Sequence, residues 1–166
     1  MQKNEFRKIC KSRLKSHAAR AARCEHYALL WRLERLIKFL KARKILIFLP
    51  MSYEPNVLIL RKKLSKSCEF YVPFMVDISL KMVRLRQPFK ISRFGLRQTL
   101  PQNGYFKKVD LAVVPAIGVD GAMARIGHGK GFYDMFFSGL KFKPAIAFVS
   151  IKDCFCSEIL SFDHDV

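Results

Sequence analysis

Apolar positions along the chain first repeat with a helical period. In residues 2–15 (QKNEFRKICKSRLK), Phe6, Ile9 and Leu14 stand near helical spacing among basic residues, which predicts an amphipathic helix. Ser16 is a residue type that caps helices, so a second helix is expected to start there and run to about Arg43. Its apolar positions are Ala28, Leu29, Trp31, Leu33, Leu36, Ile37 and Leu40. The period then changes. Lys44 to Pro50 (KILIFLP) is a continuous β-prone run closed by proline, as expected of a parallel strand buried on both faces. A helix-like stretch from Pro55 to Ser65 and a strand-like run from Glu69 to Phe74 complete a β-α-β alternation. Residues 80–109 hold short apolar pieces broken by Pro88, Gly95, Pro101 and Gly104, and read as strand and loop excursions. Asp110 to Pro115 (DLAVVP) is again a buried-strand run; a short helix from Phe132 to Leu140 and a strand from Ala145 to Ser150 follow.

Strands separated by helices predict an α/β layer architecture with a mainly parallel sheet. Ligands of such sheets bind beyond the carboxyl ends of the strands. The glycine-rich run Gly127-His128-Gly129-Lys130-Gly131 lies there, after the strand DLAVVP and before a helix. Alternating glycines remove the Cβ atoms that block close backbone approach and admit positive φ, so successive amides can turn toward one anion. Lys130 and Arg125 add full positive charges, and the following helix adds its amino-terminal dipole. The chemistry is that of a phosphate site, although the run is neither a Walker A loop nor a dinucleotide-binding fingerprint. Asp134, in the first turn of that helix, suits a Mg²⁺ shared with phosphate oxygens; it equally suits a first-turn acid favoured by the dipole.

Composition narrows the partners. A chain of 166 residues with 51% hydrophobic residues and 15 Phe has material for one core. The 31 Lys and Arg against 13 Asp and Glu give +18, a field that attracts polyanions: nucleic acid, a nucleoside triphosphate or a substrate with several carboxylates. No RNA- or DNA-binding motif accompanies the charge, so nucleic acid is not the expected partner. The longest apolar run, Ile45 to Met51, is too short to span a bilayer, and the amino terminus lacks the apolar stretch of an export signal. Five cysteines form an odd set, which fits a reducing cytoplasm. The Cys154 and Cys156 pair has no second pair at zinc-site spacing and reads as free thiols.

The run DLAVVPAIGVDGAMARIGHGKGFYD, Asp110 to Asp134, resembles the carboxyl-terminal signature of the 5-formyltetrahydrofolate cyclo-ligases, also called methenyltetrahydrofolate synthetases. Pro115, Asp120, Arg125, Gly127, Gly129, Gly131, Tyr133 and Asp134 stand at matching positions, while Val119, Met123 and Phe132 depart from the usual residues. Lys3 and Arg7 resemble the family's amino-terminal KxxxR, whose cations contact ATP phosphates. At this spacing they share one helix face, which by itself would read as a solvated basic face. Phe48 to Val57 (FLPMSYEPNV) is similar to the family segment that places a folate-contacting glutamate at Glu54 and lines the same pocket with Leu49; Asn56 and Val57 diverge. Phe94-Gly95 resembles a Tyr-Gly-Ile-x-Glu-Pro segment, with Gln98 and Thr99 for Glu-Pro. Phe94 suits stacking on the folate or a place in the core. His164-Asp165 resembles a terminal His-Asp whose Asp is a second magnesium contact. Family members usually continue through a further strand, so residues 1–166 are expected to form a single domain shortened at its carboxyl terminus.

The resemblance implies a three-layer α/β/α, Rossmann-like domain with a mainly parallel central sheet. It further implies an ATP- and Mg²⁺-dependent ligase that converts 5-formyltetrahydrofolate, or its polyglutamates, to 5,10-methenyltetrahydrofolate; a cytoplasmic location and a monomer are the accompanying expectations. Lys3, Arg7, Arg125 and Lys130 would meet the triphosphate, Arg125 and Lys130 also acting in catalysis. Ile126, Gly127, His128, Gly129, Gly131, Phe132 and Tyr133 would complete the ATP site. Leu49, Glu54, Phe94, His128 and Tyr133 would contact folate, and Asp134 with Asp165 would hold Mg²⁺. Two alternatives stay open: an RNA-binding protein whose glycine loop holds a backbone phosphate, and another ATP-dependent phosphotransferase.

Overall fold

Between Lys3 and Phe39 the chain has neither glycine nor proline, and nothing interrupts a helix. In the computed structural model, which describes residues 2–77, 79–92, 95–106 and 108–160 with the side chains of 20–24 excepted, this stretch is one 37-residue helix, α1 (Lys3–Phe39). The two helices expected on either side of Ser16 are therefore one. Ser16 has good helix formers close after it, Ala18 and Ala19, so its capping ability goes unused. The helix ends where Lys41 turns left-handed, at φ 51°. There the Ala42 amide donates to Ile37 O (3.0 Å) and the Lys41 amide to Lys38 O (3.1 Å), the paired bonds of a Schellman cap. Ile37 and Ala42 are both buried, so the cap also aims the chain into the core.

The remaining elements are β1 (Lys44–Leu46), α2 (Ile59–Leu64), β2 (Glu69–Val76), β3 (Ser79–Arg84), β4 (Phe89–Ile91), β5 (Arg97–Thr99), β6 (Leu111–Pro115), β7 (Gly118–Val119), β8 (Arg125–Ile126), α3 (Phe132–Ser138) and β9 (Ala145–Val149). The main sheet has the order β3-β2-β1-β6-β9. Its pairs are parallel except β2 with β3. The Asp110 carboxylate accepts the amides of Arg43 and Lys44, each at 2.8 Å, and so sets β1 beside β6. The expected α2 is shorter than its apolar pattern because a turn led by Pro55 takes residues 55–58.

Alternate residues of the central strands enter two separate cores, which is why those strands read as unbroken apolar runs. Ile45, Ile47, Phe70, Val72, Leu111 and Val113 face Leu30, Leu33 and Ile37 of α1 and Leu60 and Leu64 of α2. Leu46, Tyr71, Met82, Ala112 and Val114 face Phe137 of α3 on the other side. The result is the three-layer, mainly parallel α/β arrangement. The amino-terminal part of α1 meets a third cluster: Phe6, Cys10 and Leu14, one helical face, pack on Ile117, Ile126, Ile151 and Cys154. Strand order reverses at β1, with β2 on one side and β6 on the other. That reversal opens a crevice at the carboxyl ends of β1 and β6. Among the described residues, no helix is long and apolar enough to cross a membrane.

A continuous α1 makes His17 a helix-interior position, whereas a helix starting at Ser16 would make it the first turn, where proline is tolerated. His17→Pro should therefore cost about 3 kcal/mol of stability, read from urea midpoints. A change below about 0.5 kcal/mol would instead restore the break at Ser16.

Candidate active site

The glycine loop is held from below and from the side. Ile126 is fully buried against Phe6 and Leu14 of α1, so the loop that follows starts from an anchored strand. Arg7 Nε donates to Gly127 O at 2.7 Å, and Asn4 accepts from the same guanidinium. That guanidinium occupies the space a side chain at residue 129 would need, 3.2 Å from the position of its Cβ, and Gly129 has φ 94°. A Cβ at Gly127 would stand 2.1 Å from Arg125 Nη1. Gly127 is thus required by the close approach of Arg125, and Gly129 by its left-handed backbone with Arg7 tight beside it.

Arg125 is 5% exposed and its Nη2 donates to Asp134 Oδ1 at 2.7 Å, while its guanidinium lies 5.6 Å from the centre of the Tyr133 ring. Its buried Nε makes no hydrogen bond. The cation expected on the triphosphate and the carboxylate expected on magnesium thus meet each other under the loop. Burial, and secondarily the charge of Glu54, push the Tyr133 phenol well above its ordinary pKa, so it stays protonated.

Across the crevice, the chain leaving β1 turns at residues 51–54. The Glu54 amide donates to Met51 O (3.1 Å) and the Met51 amide returns a bond to Glu54 Oε2 (2.9 Å). Glu54 is 8% exposed, and burial raises its pKa against the lowering effect of the Met51 amide. Its Oε1 stands 3.7 Å from His128 Nε2, and the same nitrogen is 2.9 Å from the Tyr53 hydroxyl. Burial and then the charges of Lys11, Arg125 and Arg7 lower the His128 pKa to about 4, so the imidazole is neutral at neutral pH.

These groups line one cavity of about 1560 Å³. That exceeds the roughly 300–1,000 Å³ of most single-ligand sites and leaves room for two substrates. Lys3, Arg7, Leu49, Glu54, Arg125, Gly127, His128, Gly129, Lys130, Gly131, Phe132, Tyr133 and Asp134 all reach it. Ile126 does not: its side chain lies in the core behind the loop. Phe94 and Asp165 fall outside the described residues. Lys11, Tyr53, Arg97 and Lys143 also line the cavity and were not anticipated. Lys11 had a signal, since it follows Lys3 and Arg7 at the same four-residue step. The same step reaches Lys15, whose Nζ is 5.8 Å from the Tyr53 ring centre. Arg97, at the start of β5 and bonded to Pro50 O at 2.6 Å, and Lys143, in the loop before β9, arrive from distant segments and had none.

Among the described residues, no group of three or more His, Cys, Asp or Glu side chains could hold a metal. Asp134 alone suits a Mg²⁺, which characteristically takes one or two carboxylates and fills its sphere with phosphate oxygens and water. Asp134 Oδ1 already accepts from Arg125 at 2.7 Å, so the described residues offer that ion one carboxylate shared with a cation. Cys10, Cys68, Cys154 and Cys156 are free thiols. Burial, then Cys154, push the Cys10 pKa up to about 12.

A family model described as the 5-formyltetrahydrofolate cyclo-ligase family matches residues 1–156. The fold is similar to the NMR structure of 5,10-methenyltetrahydrofolate synthetase from Aquifex aeolicus, with a TM-score of 0.81 and 21% identity over 100% of this chain and 86% of that one. It is also similar to a 5,10-methenyltetrahydrofolate synthetase from Mycoplasma pneumoniae, with a TM-score of 0.71 and 16% identity over 100% of this chain and 94% of that one. No curated protein matches the sequence. At these identities the structural likeness shows the fold.

The depressed His128 pKa has a signed consequence. Between the folded value of about 4 and the ordinary value of 6.5, the unfolded chain binds the proton that the folded one refuses. Stability from this group is then complete above about pH 6.5 and falls as pH drops toward 4. The loss in urea midpoint between pH 7 and pH 5 should be smaller in His128→Gln than in the unsubstituted chain; equal losses would refute the depressed pKa.

Proposed function

The chain belongs to the 5-formyltetrahydrofolate cyclo-ligase family of ligases, and we propose that it uses Mg²⁺ and ATP to close 5-formyltetrahydrofolate into 5,10-methenyltetrahydrofolate, releasing ADP and phosphate. The observation that carries this reading is the joining of two unlike half-sites in one cavity. A glycine loop among cations suits a triphosphate, and a buried carboxylate 3.7 Å from that loop's His128 suits a hydrogen-bonding heterocycle.

A formamide oxygen is a poor leaving group. Attack of that oxygen on the γ-phosphorus expels ADP and yields an imidate phosphate. The neighbouring folate nitrogen then attacks the activated carbon, its proton is lost, and phosphate departs with the former formyl oxygen as the ring closes. The protein's contribution is positioning and charge neutralisation, which needs no nucleophilic side chain.

Lys3 and Arg7 on α1 and Lys130 on the exposed loop neutralise the triphosphate, while the amides of Gly127 to Gly131 donate to its oxygens. Lys130 from above and Arg125 from below stabilise the phosphoryl group in transfer. Arg125 also holds Asp134, the carboxylate that would bind Mg²⁺; the ion would screen the charge of the phosphates. Glu54 accepts hydrogen bonds from the amino and ring N–H groups of the pterin, with Leu49 and Tyr133 as apolar walls. Phe94 beside the folate and Asp165 at the metal are assigned on family resemblance alone.

Purified full-length protein mixed with Mg-ATP and 5-formyltetrahydrofolate should develop the near-ultraviolet absorbance of the methenyl product. Chelation of Mg²⁺ should abolish it. An RNA-binding protein would give no such signal, and a phosphotransferase of other specificity would consume ATP without it. Among variants, Glu54→Ala should raise the KM for folate by roughly 10- to 150-fold with little change for ATP, and Lys130→Ala should do the reverse, since a charged hydrogen bond contributes about 1.5–3 kcal/mol. A Glu54→Ala enzyme with unaltered folate KM would show that the pterin binds elsewhere.

A further inference from the structure

Tyr53 stands where the two half-sites touch, with its hydroxyl between Met51 Sδ and His128 Nε2. The hydroxyl has one hydrogen, and it donates to Met51 Sδ at 3.1 Å. In the tautomer that carries the proton on Nε2, its oxygen accepts from His128 Nε2–H at 2.9 Å. The same N–H faces Glu54 Oε1 at 3.7 Å, and Glu54 in turn receives the Met51 amide. One small network thus runs from the glycine loop through His128 to Tyr53, Met51 and the carboxylate assigned to the pterin. On its other side the loop is held by Arg7, through Gly127 O and the space beside Gly129.

We infer that the Tyr53–His128 hydrogen bond couples the two half-sites, so that a triphosphate on the loop strengthens folate binding at Glu54, and folate strengthens nucleotide binding equally. This inference rests on the ATP and folate reading above. The physical source is the ordering of the loop. Gly129 and Lys130 are exposed, and a glycine-rich segment loses much conformational freedom when it is ordered. A bound triphosphate orders it and removes that cost from the second ligand, which needs His128 in place against Glu54. Tyr53 is a positioning residue in this scheme: it fixes the imidazole through which the signal passes. Linkage makes the coupling reciprocal.

The test is calorimetric binding of 5-formyltetrahydrofolate to the full chain, with and without saturating Mg²⁺ and a non-hydrolysable β,γ-imido analogue of ATP. In the unsubstituted chain the analogue should lower the folate Kd by about tenfold, within the usual range of coupling between sites. In Tyr53→Phe and His128→Leu the change should fall below about twofold, whereas His128→Gln, whose amide N–H can replace Nε2–H, should keep most of it. A loss of packing alone would not be rescued by glutamine. Coupling that persists undiminished in Tyr53→Phe and His128→Leu, or that is absent from an unsubstituted chain which binds and turns over both substrates, would overturn this inference alone. Failure of the unsubstituted chain to bind folate at all would overturn the proposed function together with it.

Discussion

The contact on which the site depends is the Arg7 guanidinium lying against the glycine loop, bonded to Gly127 O and filling the space beside Gly129. It joins the first turns of α1 to a segment 120 residues away. Arg7 can reach that place because α1 is one rigid rod, about 55 Å long at 1.5 Å per residue. Its later turns are embedded in the main core through Leu30, Leu33 and Ile37, and its early turns are fastened through Phe6, Cys10 and Leu14. Four-residue spacing then puts Lys3, Arg7 and Lys11 into the cavity.

Gathering so many cations in a partly buried place requires compensation, because an unpaired buried charge costs several kcal/mol. The structure compensates in three ways. Arg125, the most buried of the site cations, is matched to Asp134. His128 gives up its proton under the influence of burial, Lys11, Arg125 and Arg7. Lys130 stays exposed on the loop, and Lys3, Arg7 and Lys11 remain partly open to water. The remaining positive charge is what a polyanionic ligand would neutralise.

With only 13 acidic residues in the chain, the placement of each carboxylate carries weight. Asp110 receives two backbone amides and sets the central strands side by side. Asp120 is fully buried; its Oδ1 takes the amides of Ala122 and Ala124 and its Oδ2 that of Leu160, tying the loop before β8 to the carboxyl-terminal segment. Glu34 and Glu69 pair with surface cations. Glu54 is therefore unusual as a buried carboxylate turned toward the open cavity, with one oxygen occupied by Met51 and the other near His128.

The apolar runs 44–50, 69–74, 110–115 and 145–150 located the four parallel strands to within a few residues; in the central strands burial on both faces leaves few polar positions to obscure the run, and half-buried β9 at the sheet edge keeps the same apolar character. Residues 125–134 carry the glycine spacing and cations expected of an anion site, and Lys3 with Arg7 the spacing of one basic helix face. These are local properties, legible in a short window. A window around Ser16 misled, since a capping residue is a possible helix start and only the absence of any stronger break makes it an interior position. What required the tertiary structure was every relation between segments: Arg7 with Gly127, Arg125 with Asp134, Tyr53 and Glu54 with His128, and the arrival of Arg97 and Lys143. The sequence by itself determined where the parallel strands lie and that glycines and cations share one loop after β6. The folded chain decided which charges are neutralised, which remain available and what faces the loop, because burial and through-space distance have no counterpart in sequence spacing.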